Sequence, residues 1–306
     1  MATLPGYKVC ATERMGTGTI ECTVETGIPN GFFLTTPDWS LDTETETFNK
    51  AYLTQQIQLG KIIPFTNSVS FIDNSEDDVF QTFDTGIKTI VRDGKPEFGY
   101  DYQRGYCWHA AAHSYNSFKA YKVILSWDND VLGFAKDADG KTIKGLDMGY
   151  VKAANYKNNN GTESQTTTIN FQLTNPKQYN QDMALLDSEQ LDFNPSDING
   201  VIDAKLTIEN QLVDADESFN LFVTAMCNTS INIEGLSVSD FELTGNTGFT
   251  INAVAYNSSE NKYEIDLSSP LTTGDQIGIR LFGTTTVIDL SGVLYQGASK
   301  IQTVIA

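Results

Sequence analysis

Three residues in one short stretch carry side chains suited to metal binding or nucleophilic chemistry: Cys107, His109 and His113. On a helix, histidines four residues apart share one face and can bind the same metal ion. A hydrolytic zinc motif also needs Glu directly after the first His, and this chain has Ala110 there. No third histidine exists in the sequence. We therefore interpret both histidines as residues of a helix surface or a subunit contact, with an enzyme built on this cluster as an alternative.

Two acidic segments carry carboxylates that could bind cations. The run Asp137-Ala-Asp-Gly140 resembles the middle of a calcium loop, but Ala135 and Leu146 occupy positions where that loop requires oxygen ligands. A hairpin turn with Asp-Gly at its tip explains the same residues. Residues 73–78 are rich in Asp and Glu and predict a solvated turn. Without a nucleophile elbow or a phosphate-binding loop, the sequence predicts no catalytic, cofactor or metal site, and hence no enzyme.

Composition and charge narrow the function classes. The 306 residues are 40% hydrophobic and 11% aromatic, which favours a packed core over disorder. With 20 Lys+Arg against 39 Asp+Glu, the net charge is −19, which opposes non-specific binding to nucleic acid. Such a chain can still line a channel through which nucleic acid passes without being bound. The simpler interpretation is that acidity keeps an abundant protein soluble.

The cysteines and the start of the sequence predict a cellular location. Cys10, Cys22, Cys107 and Cys227 form no CxxC pair, and residues 1–6 do not resemble a secretion signal. We therefore expect four free thiols in a reducing cytosol. The apolar runs are far shorter than the ~20 residues that cross a bilayer, so no membrane partner is expected.

The elements around the Cys/His stretch give the clearest topology signal. Apolar residues recur at helical spacing between residues 105 and 119: Trp108, Ala111, Ala112, Tyr115 and Phe118. The strands predicted in the first 200 residues are 7–11, 19–24, 68–72, 86–91, 121–127, 131–135, 150–156 and 166–173. Residues 38–50 alternate acids with Thr and predict an exposed strand or extended arm, and residues 51–60 fit either a helix or a strand.

Beyond a linker at 191–200, short alternating runs recur at the spacing of an immunoglobulin-like sandwich. The predicted strands are 204–213, 219–226, 236–243, 250–255, 263–267, 276–282, 287–290 and 301–305. The prediction is a mostly β chain with two domains, 1–200 and 201–306. This second half holds one cysteine, so it cannot form an internal disulfide.

The element order between residues 60 and 187 resembles that of the tail tube proteins of long-tailed bacteriophages. In this comparison, residues 105–119 form a flanking helix, 121–135 a ribbon, and 145–173 the closing strands. The resemblance implies a β-sandwich with one flanking α-helix, and hairpins and arms that pair between subunits. Some members of that family carry an immunoglobulin-like domain on the tube exterior, which residues 201–306 resemble.

The resemblance also implies a function and partners. The chain would be a virion structural protein, made in the host cytoplasm, whose stacked hexameric rings form a channel for DNA. Its expected partners are further copies of itself, other virion tail proteins, passing DNA without specific binding, and a host-surface glycan at the second domain. No cofactor is implied. Candidate inter-subunit contacts lie in residues 38–50 and 73–86: Trp39, Leu41, Phe48, Phe80 and Phe83.

Two other functions stay open at this point. One is a different virion structural protein, such as an auxiliary capsid or ring protein. The other is a glycan-binding adhesin, in which Trp39 would stack on a sugar because it lies among polar residues.

Overall fold

A computed structural model describes residues 26–245 and 248–306. The chain is mostly β and divides into two compact units, with the boundary between Asn199 and Gly200. Each unit is described by itself below. The strands predicted at 7–11 and 19–24 lie outside the described residues.

The first unit contains fourteen described strands and three helices. The strands are β1 (Pro29–Thr35), β2 (Ser40–Asp42), β3 (Ile62–Phe65), β4 (Ser70–Asp73), β5 (Val79–Thr82), β6 (Lys88–Arg92), β7 (Glu97–Tyr102), β8 (Ser117–Phe118), β9 (Lys122–Trp127), β10 (Val131–Lys136), β11 (Thr142–Lys144), β12 (Leu146–Ala153), β13 (Thr167–Leu173) and β14 (Met183–Leu186). The helices are α1 (Lys50–Gln58), α2 (Tyr106–His113) and α3 (Pro176–Asn180).

Two sheets of the first unit share the strand β12. Sheet A comprises β1, β2, β3, β9, β10, β11 and β14, and the start of β12 pairs with β9. Sheet B has the order β8-β12-β13-β7-β4, using the rest of β12. A common core joins them, in which Phe32 of sheet A meets Tyr100 at 5.2 Å and Phe171 at 4.9 Å between ring centroids. The long strand therefore carries the backbone from one side of the core to the other.

The central strands of sheet A are buried on both faces, to which their side chains point alternately. Along β10, Val131 and Ala135 face the common core, whereas Leu132 and Phe134 are buried outside that cluster. Phe134 lies 6.3 Å from the ring of Trp39 and 5.3 Å from that of Phe48. This second apolar layer explains why a run of continuous hydrophobic residues forms β9 and β10.

Helix α1 covers part of this second layer. It begins after Asn49, whose side chain accepts a hydrogen bond from the Tyr52 amide at 2.8 Å, a typical N-cap. Leu53 and Ile57, four residues apart, are buried on its inner face. The sequence left this segment undecided between helix and strand, and it is helical.

The second unit consists of ten described strands. They are β15 (Ile202–Ile208), β16 (Ser218–Ala225), β17 (Asn228–Asn232), β18 (Phe241–Gly245), β19 (Ile251–Asn257), β20 (Lys262–Leu267), β21 (Gln276–Leu281), β22 (Ile288–Leu290), β23 (Val293–Gln296) and β24 (Gln302–Thr303).

These strands form two sheets around one core. Sheet C has the order β19-β20-β16-β15-β23-β22, with β17 paired to β16, and sheet D has the order β18-β21-β24. Leu221 and Ile265 of sheet C, with Ile277 and Ile279 of sheet D, are fully buried in the shared cluster. The strand β15 pairs in parallel with β23, while the other ladders of this unit are antiparallel.

Two predictions about local structure were wrong. The helix predicted over 105–119 ends at His113. Phe118 lies instead in the short strand β8 and is 85% exposed. Residues 38–50 do not form an exposed arm, because Trp39, Leu41 and Phe48 anchor them into the second layer of sheet A. Because polar residues separate these three side chains in the sequence, the pattern did not indicate that they are buried.

Candidate functional site

The most distinctive surface of the first unit is a two-stranded hairpin, which we call the arm, comprising residues 72–93. Every residue of the arm is exposed. Its strands β5 and β6 pair with each other and form a sheet of their own. The arm therefore projects from the unit without contributing to its core.

The arm begins where an edge of sheet B ends. β4 pairs with β7 from Ser70↔Asp101 to Asp73↔Phe98, and the two chains then continue outward as β5 and β6. The base is closed by the Glu76 amide, which donates to the carbonyl of Lys95 at 3.1 Å. These contacts fix the direction in which the arm leaves the sheet.

The base of the arm depends on a glycine. A Cβ on Gly94 would lie 1.9 Å from the carbonyl oxygen of Glu76, so any other residue forces the two chains apart. The Gly94 amide also donates to the Asp78 carboxylate at 2.7 Å, and Arg92 pairs with Glu76 at 3.1 Å. Both ion-pair partners are well exposed, so the contribution of that pair to stability is small.

Seven large apolar side chains lie on the arm, each between 38% and 63% exposed: Ile72, Val79, Phe80, Phe83, Ile87, Ile90 and Val91. A two-stranded hairpin with no face packed on a core is at best marginally stable in water. Contiguous exposed apolar side chains of this kind mark interaction surfaces. The arm thus has the composition of a segment that a partner covers.

The structure divides the predicted inter-subunit contacts into two groups. Phe80 and Phe83 lie on the exposed arm, where a partner can reach them. Trp39, Leu41 and Phe48 are 2%, 0% and 2% exposed, so their side chains are used inside the subunit. We do not retain these three as contacts with another subunit. Because Trp39 is buried, its ring cannot make the sugar contact expected of it in the adhesin hypothesis; the sugar contact expected of the second domain stays a prediction.

The Cys/His stretch lies on α2 but forms no candidate reaction centre. His109 is buried and shares a hydrogen bond between its Nδ1 and the Thr167 hydroxyl at 3.1 Å. Burial, and to a lesser extent the neighbouring His113, lowers the pKa of His109 below its ordinary value. Cys107 is disulfide-bonded, so its sulfur is not a thiolate available as ligand or nucleophile. Among the described residues, no three His, Cys, Asp or Glu side chains are grouped to hold a metal ion.

The acidic run at 137–140 forms the turn between β10 and β11. The Asp139 carboxylate accepts hydrogen bonds from the Thr142 hydroxyl at 2.6 Å and from the amides of Lys141 and Thr142 at 2.9 Å. These donors, the hydroxyl first, lower the pKa of Asp139 to about 2. Asp137 in turn binds Lys144 at 3.1 Å. The carboxylates are thus occupied by the turn itself.

The prediction of free thiols is wrong for the cysteines that the structure describes. Cys107 and Cys227 are both disulfide-bonded. Disulfides persist in oxidising surroundings, which include the surfaces of virions and cells. Cys10 and Cys22 lie outside the described residues.

Phe118 is exposed, although its spacing in the sequence places it in the apolar stripe of the predicted helix. Apart from Phe80 and Phe83 on the arm, no other phenylalanine appears among the exposed large apolar side chains of the described chain. Its place in a helical stripe predicts burial. It is exposed because α2 ends at His113, before the stripe reaches Phe118.

Within the described ranges, no helix is both long and apolar enough to cross a membrane. Comparison of the chain with protein-family models finds no match, and comparison with curated proteins finds none either.

Proposed function

We propose that this chain is a structural subunit that assembles with copies of itself, and that the assembly is the tail tube of a virion. The observation that carries the proposal is the arm. A fully exposed hairpin with seven large apolar side chains adds nothing to the described core of the monomer, whereas it gains a buried environment on a neighbouring subunit.

The rest of the first unit supports this assignment. A β core built from two sheets carries a short helix on its surface and an arm at a sheet edge, which are the parts implied by the resemblance to tail tube proteins. In this proposal the subunits form stacked hexameric rings around a channel for DNA. The net charge of −19 keeps the channel wall from holding phosphates.

The second unit is proposed to be an immunoglobulin-like domain on the exterior of the assembly. The strand order β19-β20-β16-β15 in one sheet and β18-β21-β24 in the other parallels the D-E-B-A and C-F-G order of constant-type immunoglobulin domains. Its acidic surface keeps an exposed decoration soluble. The disulfide-bonded state of Cys107 and Cys227 is compatible with a virion exposed to an oxidising medium after release.

The experiment compares wild-type protein with the double variant Phe80→Ser/Phe83→Ser over a range of concentrations. Sedimentation velocity measures the assembled fraction, and negative-stain electron microscopy gives its form. Burying one phenylalanine contributes roughly 1.5–3 kcal/mol, so removing two weakens association by about a hundredfold or more. Circular dichroism should be unchanged, because neither residue belongs to the core.

The matched control is Met226→Ser/Ile301→Ser, which removes two comparably exposed apolar side chains from the second unit. It should assemble like the wild type. A wild-type protein that stays monomeric at all concentrations overturns the assembly proposal. Closed rings that never stack would instead favour an auxiliary capsid or ring protein.

A further inference from the structure

Sheet B has two edges that pair with no further strand among the described residues, and the arm extends from only one of them. Its order is β8-β12-β13-β7-β4, so the edge next to the arm is β4 and the opposite edge is β8. β8 pairs with β12 through Phe118↔Tyr150 and Ser117↔Val151, and with no other described strand. An unpaired edge is a template on which another strand can add.

The β8 edge carries a groove with an apolar wall. We call it the β8 groove; its volume is about 470 Å³, and it is lined by Asn116, Ser117, Phe118, Tyr150, Val151 and Lys152. Phe118 is 85% exposed, the largest exposed fraction among the large apolar side chains of the described residues. It stands directly opposite Tyr150 across the ladder, so both side chains lie on the same face of that ladder.

The charges of the arm and the β8 groove are complementary. Lys152 lines the groove and Lys119 directly follows Phe118 in the chain; both are exposed, and neither has an acidic partner among the described residues. On the arm, Asp77 and Asp84 are exposed and likewise have no cationic partner in the described part of the chain. Along the arm, apolar side chains lie between the two carboxylates in the sequence, and at the groove the exposed Phe118 lies next to Lys119 in the chain.

We propose that the arm of one copy occupies the β8 groove of a second copy. This inference rests on the proposed function and names the surface that receives the arm. The apolar side chains of the arm cover Phe118 and Tyr150, while Asp77 and Asp84 approach Lys119 and Lys152. Because donor and acceptor surfaces lie at opposite edges of one sheet, the contact is head-to-tail, and its repetition closes into a ring where the rotation permits.

The first test is a charge exchange in the full chain, measured by sedimentation velocity at low and moderate salt. Lys119→Glu/Lys152→Glu places like charges against the arm and should raise the concentration for half-assembly about tenfold or more at low salt. Adding Asp77→Lys/Asp84→Lys to that variant should restore assembly to within about threefold of the wild type. The control Lys205→Glu reverses an exposed lysine of the second unit and should have no effect.

The second test locates the contact. The full chain carrying a photo-crosslinking phenylalanine analogue at position 118 is irradiated under assembling conditions, and the cross-linked peptides are identified by mass spectrometry. Cross-links between position 118 of one copy and residues 72–93 of another support the proposal. Mixing isotopically labelled and unlabelled protein identifies the links as intermolecular.

The outcomes separate this inference from the proposed function. If arm variants abolish assembly but the charge exchange fails to restore it, or position 118 cross-links to a different surface, the β8 groove is not the receptor and the proposed function stands. If the wild-type protein never assembles, both fail together.

Discussion

The close approach of the two chains at the base of the arm provides the sharpest test of the structure. In Gly94→Ala, the new Cβ would lie 1.9 Å from the carbonyl oxygen of Glu76 and 2.9 Å from the carbonyl carbon of Asp77. Restoring an ordinary contact of 3.4 Å requires the chains to separate by about 1.5 Å. Both neighbours are backbone atoms, so no side chain can move aside instead.

That separation breaks the hydrogen bonds that close the base. The Glu76 amide donates to Lys95 at 3.1 Å and the Gly94 amide to Asp78 at 2.7 Å, and both bonds would exceed hydrogen-bonding distance. Each contributes about 0.5–1.5 kcal/mol, so roughly 1–3 kcal/mol is lost from a hairpin that is only marginally stable. Amide hydrogen exchange in residues 76–95 should accelerate about tenfold to a hundredfold.

The melting temperature of Gly94→Ala should change by less than about 2 °C, because the arm contributes no residue to the core. Gly248→Ala is the matched control, since a Cβ there meets nothing within 4 Å. Unchanged exchange in the arm of Gly94→Ala would refute the close approach, and a large fall in melting temperature would refute the independence of the arm from the core.

Three further predictions concern other parts of the chain. Tyr263→Phe removes a buried hydroxyl that donates to the carbonyl of Ile233 at 2.8 Å, and should lower the free energy of unfolding by about 1–3 kcal/mol in denaturant titrations. The pKa of His109 is lowered in the folded state, so its contribution to stability is present above pH 6.5 and is lost as the pH falls through the lower folded pKa. The melting temperature of His109→Gln should therefore depend less on pH between 6.5 and 5 than that of the wild type. Equal pH dependence of the two melting temperatures would contradict this. Alkylation of the unfolded, unreduced protein should leave Cys107 and Cys227 unmodified by mass spectrometry, whereas labelling of either would contradict the disulfide assignment.

The sequence predicted the interior strands best. β9 and β10 are runs of branched and aromatic residues bounded by turn formers, and burial on both faces keeps that signal strong. Prediction from the sequence failed where apolar residues were sparse. Trp39 and Phe48 are separated mostly by acids and Thr, and their common burial depends on Phe134, which is 95 positions after Trp39 and 86 after Phe48.

The candidate site could be predicted only in part. The resemblance to tail tube proteins makes Phe80 and Phe83 candidate contacts, but the residues of β5 and β6 have the composition of ordinary core strands. No feature of these residues or of their neighbours in the sequence indicates that both faces of the hairpin remain uncovered. Phe118 was assigned to a helix because its spacing continues the stripe of Trp108 and Tyr115; the helix in fact ends at His113.

The parallel pairing of β15 with β23 has a consequence for how the second unit reaches its native state. Asp203 and Gln296, neighbours through a side-chain hydrogen bond of 2.8 Å, are 93 positions apart in the chain. Pairings of such long range slow folding, because the intervening chain must be ordered before the contact forms. During synthesis, β15 therefore leaves the ribosome long before its partner exists. We expect the second unit to complete its folding only after nearly all of it has been translated, with β15 unprotected on that side until then.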